Sequence, residues 1–217
     1  MKLVKAKKSL AGRPKDTVKR EGIVRAGNDL FLKNGYTLTS MEAVAKKADV
    51  SKLTIYSHFA NKDELFKEVI LQRCNKLATS ETFAVLADKP VEKALLELGL
   101  DFTRMIFSPD SIRLQGIMQA EAARHPKVVQ IFFDTGPKRV RAAFGQLLQA
   151  WVDRRLLKIP NIAKATDQFF SLLKGEMLMK MMLLRMPTPS EAELKSHVRA
   201  TVQFFLAAYG PKSQPKK

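Results

Sequence analysis

The chain has 217 residues, enough for one or two domains with a buried core, and a composition of 46% hydrophobic and 27% charged residues excludes a disordered tail protein. Its one cysteine, Cys74, excludes an intrachain disulfide and any cysteine-held zinc or iron-sulfur centre, which fits a reducing, cytoplasmic setting. A net charge of +17 points to a polyanionic partner, and residues 1–20 concentrate it, with eight basic side chains against Asp16 alone.

Residues 1–15 form a basic arm whose lysines are followed by no apolar run, so a secretion signal is not expected. Within Gly12-Arg13-Pro14-Lys15, Arg13 is suited to a narrow minor groove, as flexible basic arms are; the alternative is a solvated arm with no fixed contact. Beyond the arm, apolar residues recur at helical period and no alternating strand pattern is found, so the fold class expected is all-α. A first helix is predicted over 16–34, with Ile23, Ala26, Leu30 and Phe31 on one stripe and Gly35 at the left-handed C-cap. Thr39 and Glu42 have the spacing of a capping box and open a short helix with Met41, Val44, Ala45 and Ala48 inward. Asp49 and Val50 make a tight connection. Ser51 then caps a second short helix over 52–59, in which Ile55 and Phe59 share the buried side.

A longer helix is predicted from residue 61 to about residue 82, with acids in its first turn and Leu65, Phe66, Val69 and Ile70 inward. Further helices are predicted over 91–107, 109–123, 127–156 with an interruption at Gly136-Pro137, 162–185 and 189–208. The organisation expected is an arm (1–15), a helix-turn-helix domain (16–76), a larger helical domain (77–210) and a tail (211–217). The most apolar stretch, 169–186, is broken by Lys174, Glu176, Lys180 and Arg185, so no membrane span is expected.

A two-turn helix braced by a neighbour fits the DNA major groove, which is about 12 Å wide. Away from Ile55 and Phe59, the side chains of Lys52, Leu53, Thr54, Tyr56 and His58 offer a cation, an apolar group, a hydroxyl, a phenol and an imidazole. Thr39 and Ser51 mark helix N-termini and Lys62 opens the next helix, so phosphate anchoring is expected there. A purely structural helix pair with a solvated face would have the same hydrophobic pattern.

The string from Val50 to Leu65, VSKLTIYSHFANKDEL, resembles the signature of the TetR family of one-component bacterial transcriptional regulators. The resemblance extends back through Ile23, Ala26, Leu30, Phe31, Gly35, Tyr36, Met41, Val44, Ala45 and Ala48, and covers roughly residues 16 to 70. It implies DNA contact by Thr39, Ser51, Lys52, Leu53, Thr54, Tyr56, His58 and Lys62. Asp49 departs from the pattern, since glycine is common in that turn; aspartate tolerates a left-handed backbone better than most residues. The TetR resemblance also implies a homodimer and a C-terminal pocket for a small-molecule effector, and the segments around 119–126, 132–137 and 169–175 resemble the C-terminal module of AefR-like members.

The last two predicted helices carry the apolar surplus suited to a dimer, with Leu172, Leu173, Met177, Met181 and Leu184 on one and Val198, Val202, Phe205 and Leu206 on the other. The same residues would also serve to close a monomer core. For a pocket, the large adaptable side chains are Phe102, Met105, Met118, Phe132, Phe133, Phe144, Trp151 and Phe169, although such stripes are commonly plain core. His58, His125 and His197 are scattered, and no nucleophile elbow or Gly-rich phosphate loop is found, so neither catalysis, a metal nor a cofactor is expected. The function expected is a ligand-responsive repressor on a palindromic double-stranded DNA operator; a nonspecific basic protein coating DNA or anionic membrane is the rival reading.

Overall fold

The computed structural model describes residues 13–78 and 85–211, the side chains of residues 13–16 and 76–78 excepted. Arg13, expected in a minor groove, therefore lies outside the described side chains. Among the described residues ten helices have both ends defined and there is no strand. They are α1 (Arg13–Asn34), α2 (Met41–Lys47), α3 (Lys52–His58), α4 (Lys62–Ala78), α5 (Val91–Ile106), α6 (Pro109–Glu121), α7 (Pro126–Thr135), α8 (Pro137–Asp153), α9 (Ile162–Leu184) and α10 (Glu191–Tyr209). The chain divides after Val69 into two compact units, so α4 begins in the first and ends in the second.

The first unit is held by a small apolar core. Ile23 and Phe31 of α1, Val44 of α2, Ile55 of α3 and Leu65 and Phe66 of α4 are all essentially inaccessible to solvent. Phe31 meets Phe66 edge-on at 5.2 Å between ring centroids, and Tyr36 packs against both rings. Its hydroxyl lies outside that cluster and donates to the Asp63 carboxylate. Gly35 closes α1 at φ 79°, the left-handed cap expected of it.

The turn between α2 and α3 depends on Asp49, which sits at φ 53°. Around it, the Val50 N–H donates to the Ala45 carbonyl at 3.0 Å and the Asp49 N–H to the Lys46 carbonyl at 3.3 Å. This is the paired closure that usually follows a glycine at the same place. Its effect is to turn the chain sharply enough for Ser51 to start α3 two residues later.

In the second unit, α5 packs along α10 and α9 packs beside α8. Gly99 permits the α5 and α10 backbones to approach, because a Cβ there would stand 2.7 Å from Cγ1 of Val198. A ladder of rings fills the interior: Phe144 stacks on Phe169 at 4.8 Å, Phe102 lies 4.7 Å from Phe170, and Phe205 meets Phe169 at 5.2 Å. Trp151 is fully buried in the same cluster.

Three features depart from the helices predicted. α8 ends at Asp153 rather than near 156, because Arg155 takes φ 58° and the Leu156 N–H returns to the Trp151 carbonyl at 2.8 Å. α9 is interrupted at Gly175 (φ 50°, ψ −161°), within a stretch expected to be continuous. His197 of α10 donates from Nε2 to the Leu173 carbonyl at 3.0 Å, two residues before the interruption.

The dimer positions need the third correction. Leu173, Met181, Val198, Val202 and Phe205 are buried inside the chain itself, and Leu172, Met177 and Leu206 are half-buried, so only Leu184 of the nine stands free. The strongest apolar stripe of each helix is used by its own core, as the contact of Val198 with Gly99 illustrates. What the two helices leave exposed is a different set, with Phe204 at 64% and Leu183 at 70%.

Candidate functional site

α3 is a seven-residue helix with one side fixed and one side free. Its start is set by Ser51, whose side chain accepts from the Thr54 N–H at 3.0 Å, and by the Ser51–Thr54 hydroxyl contact at 2.8 Å. Ile55 and Phe59 hold it to the unit's core. On the free side Leu53 is 83% exposed, Tyr56 is 40% exposed, and Lys52 projects into solvent. Thr54 and His58 are half-buried flanks of the same face, His58 beside the Phe59 ring at 6.5 Å.

Lys52 is held in readiness by a carboxylate. Its ammonium lies 2.7 Å from Glu42 of α2 and 5.9 Å from the Tyr56 ring centroid. The hydrogen bond holds the Glu42 carboxyl below its ordinary value and pushes the Lys52 ammonium above its own. Both side chains are solvated, so the pair is weak and a phosphate can take the place of Glu42.

Two sequence-predicted anchors are built differently from what was expected. Thr39 is 2% exposed and its hydroxyl donates to the carbonyls of Gly35 at 2.7 Å and Leu30 at 3.2 Å, so it ties the α1–α2 loop together. The cap of α2 is instead its neighbour Ser40, which accepts from the Ala43 N–H at 3.1 Å. Lys62 points back into the unit: Nζ donates to the carbonyls of Tyr36 and Thr39, each at 2.9 Å, and sits 4.3 Å from the Tyr36 ring centroid. With the Thr37 carbonyl at 3.4 Å as a third acceptor, the three protons of the Lys62 ammonium are directed to the loop that carries Ser40.

α4 starts beside this face. Asn61 accepts from the Glu64 N–H at 3.0 Å and Glu64 accepts from the Ala60 N–H at 2.9 Å, an exchange that satisfies two of the N–H groups around the helix start. Arg20 of α1 pairs with Glu68 at 2.8 Å and lies over the Phe59 ring at 4.9 Å, bracing α1 and α4 across the end of α3. The charged braces are therefore inside the unit, and the free face of α3 is left for a partner.

A cavity of about 250 Å³ lies within the second unit. Of the eight side chains predicted to line a pocket, Phe102, Met105, Phe132 and Phe133 do so. Phe144, Trp151 and Phe169 belong to the ring-filled core, and Met118 is buried away from the cavity; their size made them good core residues for the same reason that it made them pocket candidates. Sequence reasoning missed the polar lining, which includes Arg73 from α4, Ser111 and Gln115 from α6, Arg141 from α8 and Lys174 from α9. No helical pattern signals it, because charged residues at those positions look like solvent-facing ones until the helices are assembled.

Comparisons with known proteins agree with this geometry. A family model described as bacterial regulatory proteins, tetR family, matches residues 23–69, and one described as AefR-like transcriptional repressor, C-terminal domain, matches residues 93–211. The uncharacterized HTH-type transcriptional regulator YhgD of Bacillus subtilis is 49% identical over 47 residues, 22% of this chain and 25% of that protein. The chain thus aligns with about a quarter of that curated relative's length. Over nearly the whole chain it is similar to solved structures: a protein of Mesorhizobium loti MAFF303099 described as a TetR-family transcriptional regulator has 28% identity and a TM-score of 0.78, covering 92% of this chain and 100% of that one. The flavonoid-responsive regulator FrrA has 27% identity and a TM-score of 0.69, covering 91% and 100%. Among the described residues no helix is long and apolar enough to cross a membrane. The chain belongs to the TetR family of helix-turn-helix transcriptional regulators, in the AefR-like subgroup, and is a DNA-binding regulator rather than an enzyme.

Proposed function

We propose that this protein is a cytoplasmic repressor that binds an approximately palindromic operator as a homodimer and releases it when a small molecule occupies the second unit. The observation that carries this reading is the free face of α3, where Lys52, Leu53 and Tyr56 stand out from a helix anchored by buried Ile55 and Phe59. Ser51, Thr54 and His58 complete the proposed DNA surface, with Ser40 in the role of phosphate anchor first given to Thr39. A two-fold pair brings two such helices into successive major grooves, about 34 to 36 Å apart.

Support for pairing comes from Phe204 of α10 and from Leu183 and Leu184 of α9, large apolar side chains that the chain's own core does not use. Support for a ligand comes from the cavity and from the similarity to a regulator described as flavonoid-responsive. A ligand that prefers a dimer with wrongly spaced reading heads weakens DNA binding by that same preference, and α4, which begins in one unit and ends in the other, is the proposed lever.

The test uses an operator fragment recovered by mapping where the protein sits on its genome. Leu53→Ala and Tyr56→Ala are each expected to weaken specific binding about tenfold, in line with roughly 1–3 kcal/mol for a base contact, with unchanged melting temperatures because neither side chain is in the core. Full affinity in both variants, measured against scrambled competitor DNA, contradicts the assignment of this face.

A further inference from the structure

The cavity in the second unit has a charge pattern that its apolar walls do not need. Three cations line it, Arg73, Arg141 and Lys174, and no carboxylate does. Two of them are compensated by carboxylates outside the lining, Arg141 by Asp167 and Arg73 by Asp110 at 3.6 Å, and Arg73 also donates to the hydroxyl of the lining residue Ser111 at 3.2 Å. Lys174 has neither an ion pair nor a hydrogen bond among the described residues.

Burial and the neighbouring Arg141 both act against the Lys174 charge and hold its ammonium below its ordinary value, with Asp167 opposing that shift only in part. A second polar group in the lining is also left over, since the buried side-chain nitrogen of Gln115 has no hydrogen-bond partner. A buried donor without an acceptor is costly, and the unpartnered Gln115 nitrogen together with the half-buried, unpaired Lys174 ammonium in one cavity marks the place of a missing acceptor. Around them the walls are aromatic, with Phe102, Phe132, Phe133 and Phe170. At about 250 Å³ the space is just below the range of roughly 300 to 1,000 Å³ common for small-molecule sites, so the occupant is small.

We propose that this cavity takes a small apolar organic acid, its carboxylate held by Lys174 and the Gln115 amide and its body packed among the phenylalanine rings. The inference rests on the reading of the second unit as an effector-binding domain and adds the chemical class of the effector. The four lone-pair positions of a carboxylate accept from both donors at once, and its charge supplies what Lys174 lacks. An alcohol of the same shape satisfies the amide but leaves the ammonium uncompensated. An amine adds a fourth cation.

Calorimetric titration of the full chain with octanoate, octanol and octylamine tests the assignment. Octanoate is expected to bind about tenfold more tightly than octanol or better, and octylamine not measurably. Lys174→Met is expected to bring octanoate down to the affinity of octanol while leaving octanol itself unchanged, which controls for folding, and Lys174→Arg to retain most of the octanoate affinity. Equal affinity for the acid and the alcohol, or full octanoate affinity in Lys174→Met, overturns the proposal. So does the absence of binding by all three probes. Octanoate that binds as expected but leaves a DNA complex intact upholds the inference and contradicts the release step of the proposed function.

Discussion

Asp49 shows how one residue fixes the geometry of the reading head. A side chain with a Cβ resists φ 53°, by roughly 1–2 kcal/mol for an ordinary residue, yet the two closing hydrogen bonds from Asp49 and Val50 exist only with the chain turned that way. Aspartate tolerates the turn better than alanine does. Asp49→Ala is expected to cost about 1 kcal/mol, and Asp49→Gly to be at least as stable as the natural chain, in thermal melts of the two variants. A stable Asp49→Ala would mean that the turn can close without the left-handed residue. The tolerance of Asp49 could be read from sequence; the anchors beside it could not. Thr39 and Ser40 are adjacent hydroxyls, and either satisfies a helix start on paper. Only the burial of Thr39 against the Leu30 and Gly35 carbonyls decides between them. Lys62 eluded sequence reasoning for a related reason, since the carbonyls it serves are more than twenty residues away.

Helices are the scale at which the sequence speaks most clearly, because the apolar period in each segment follows from the need to bury one face. Gly136-Pro137 stops α7 and starts α8 as the Gly-Pro pair suggests. The interruption of α9 is the counterexample. A glycine inside an apolar helical pattern is usually tolerated, and what makes Gly175 a break is the partner helix, whose His197 takes up the Leu173 carbonyl. At φ 50° and ψ −161° the backbone is in a region almost reserved for glycine, so Gly175→Ala is expected to lower stability by about 1–3 kcal/mol. Gly116 in α6 is the control: an added Cβ there meets nothing within 4 Å, and Gly116→Ala is expected to raise stability by about 0.5–1 kcal/mol. Chemical denaturation of both variants checks the contrast. Equal effects would mean that α9 straightens without cost.

At the scale of the whole molecule, composition pointed correctly toward a polyanion, since a net charge of +17 with a basic leader belongs to a protein that meets DNA. The proposed pairing surface was harder to see, because the apolar residues of α9 and α10 divide between the core and the exposed side. Val198, Val202 and Phe205 go to the core, and the exposed remainder, centred on Phe204, is the face that the proposal gives to a second copy. The polar lining of the cavity was equally hidden, as Arg73, Gln115, Arg141 and Lys174 come from four different helices and meet only when the unit is assembled. All of the functional account depends on two copies of α3 reaching DNA together. Selection of bound sequences from a random duplex pool, at a salt concentration that strips general phosphate binding, tests this directly. The expected product is an inverted repeat whose half-sites lie about one helical turn apart, about 10 to 10.5 base pairs, or a multiple of that spacing. Recovery of no enriched sequence, or of a single half-site without its mirror image, would contradict it.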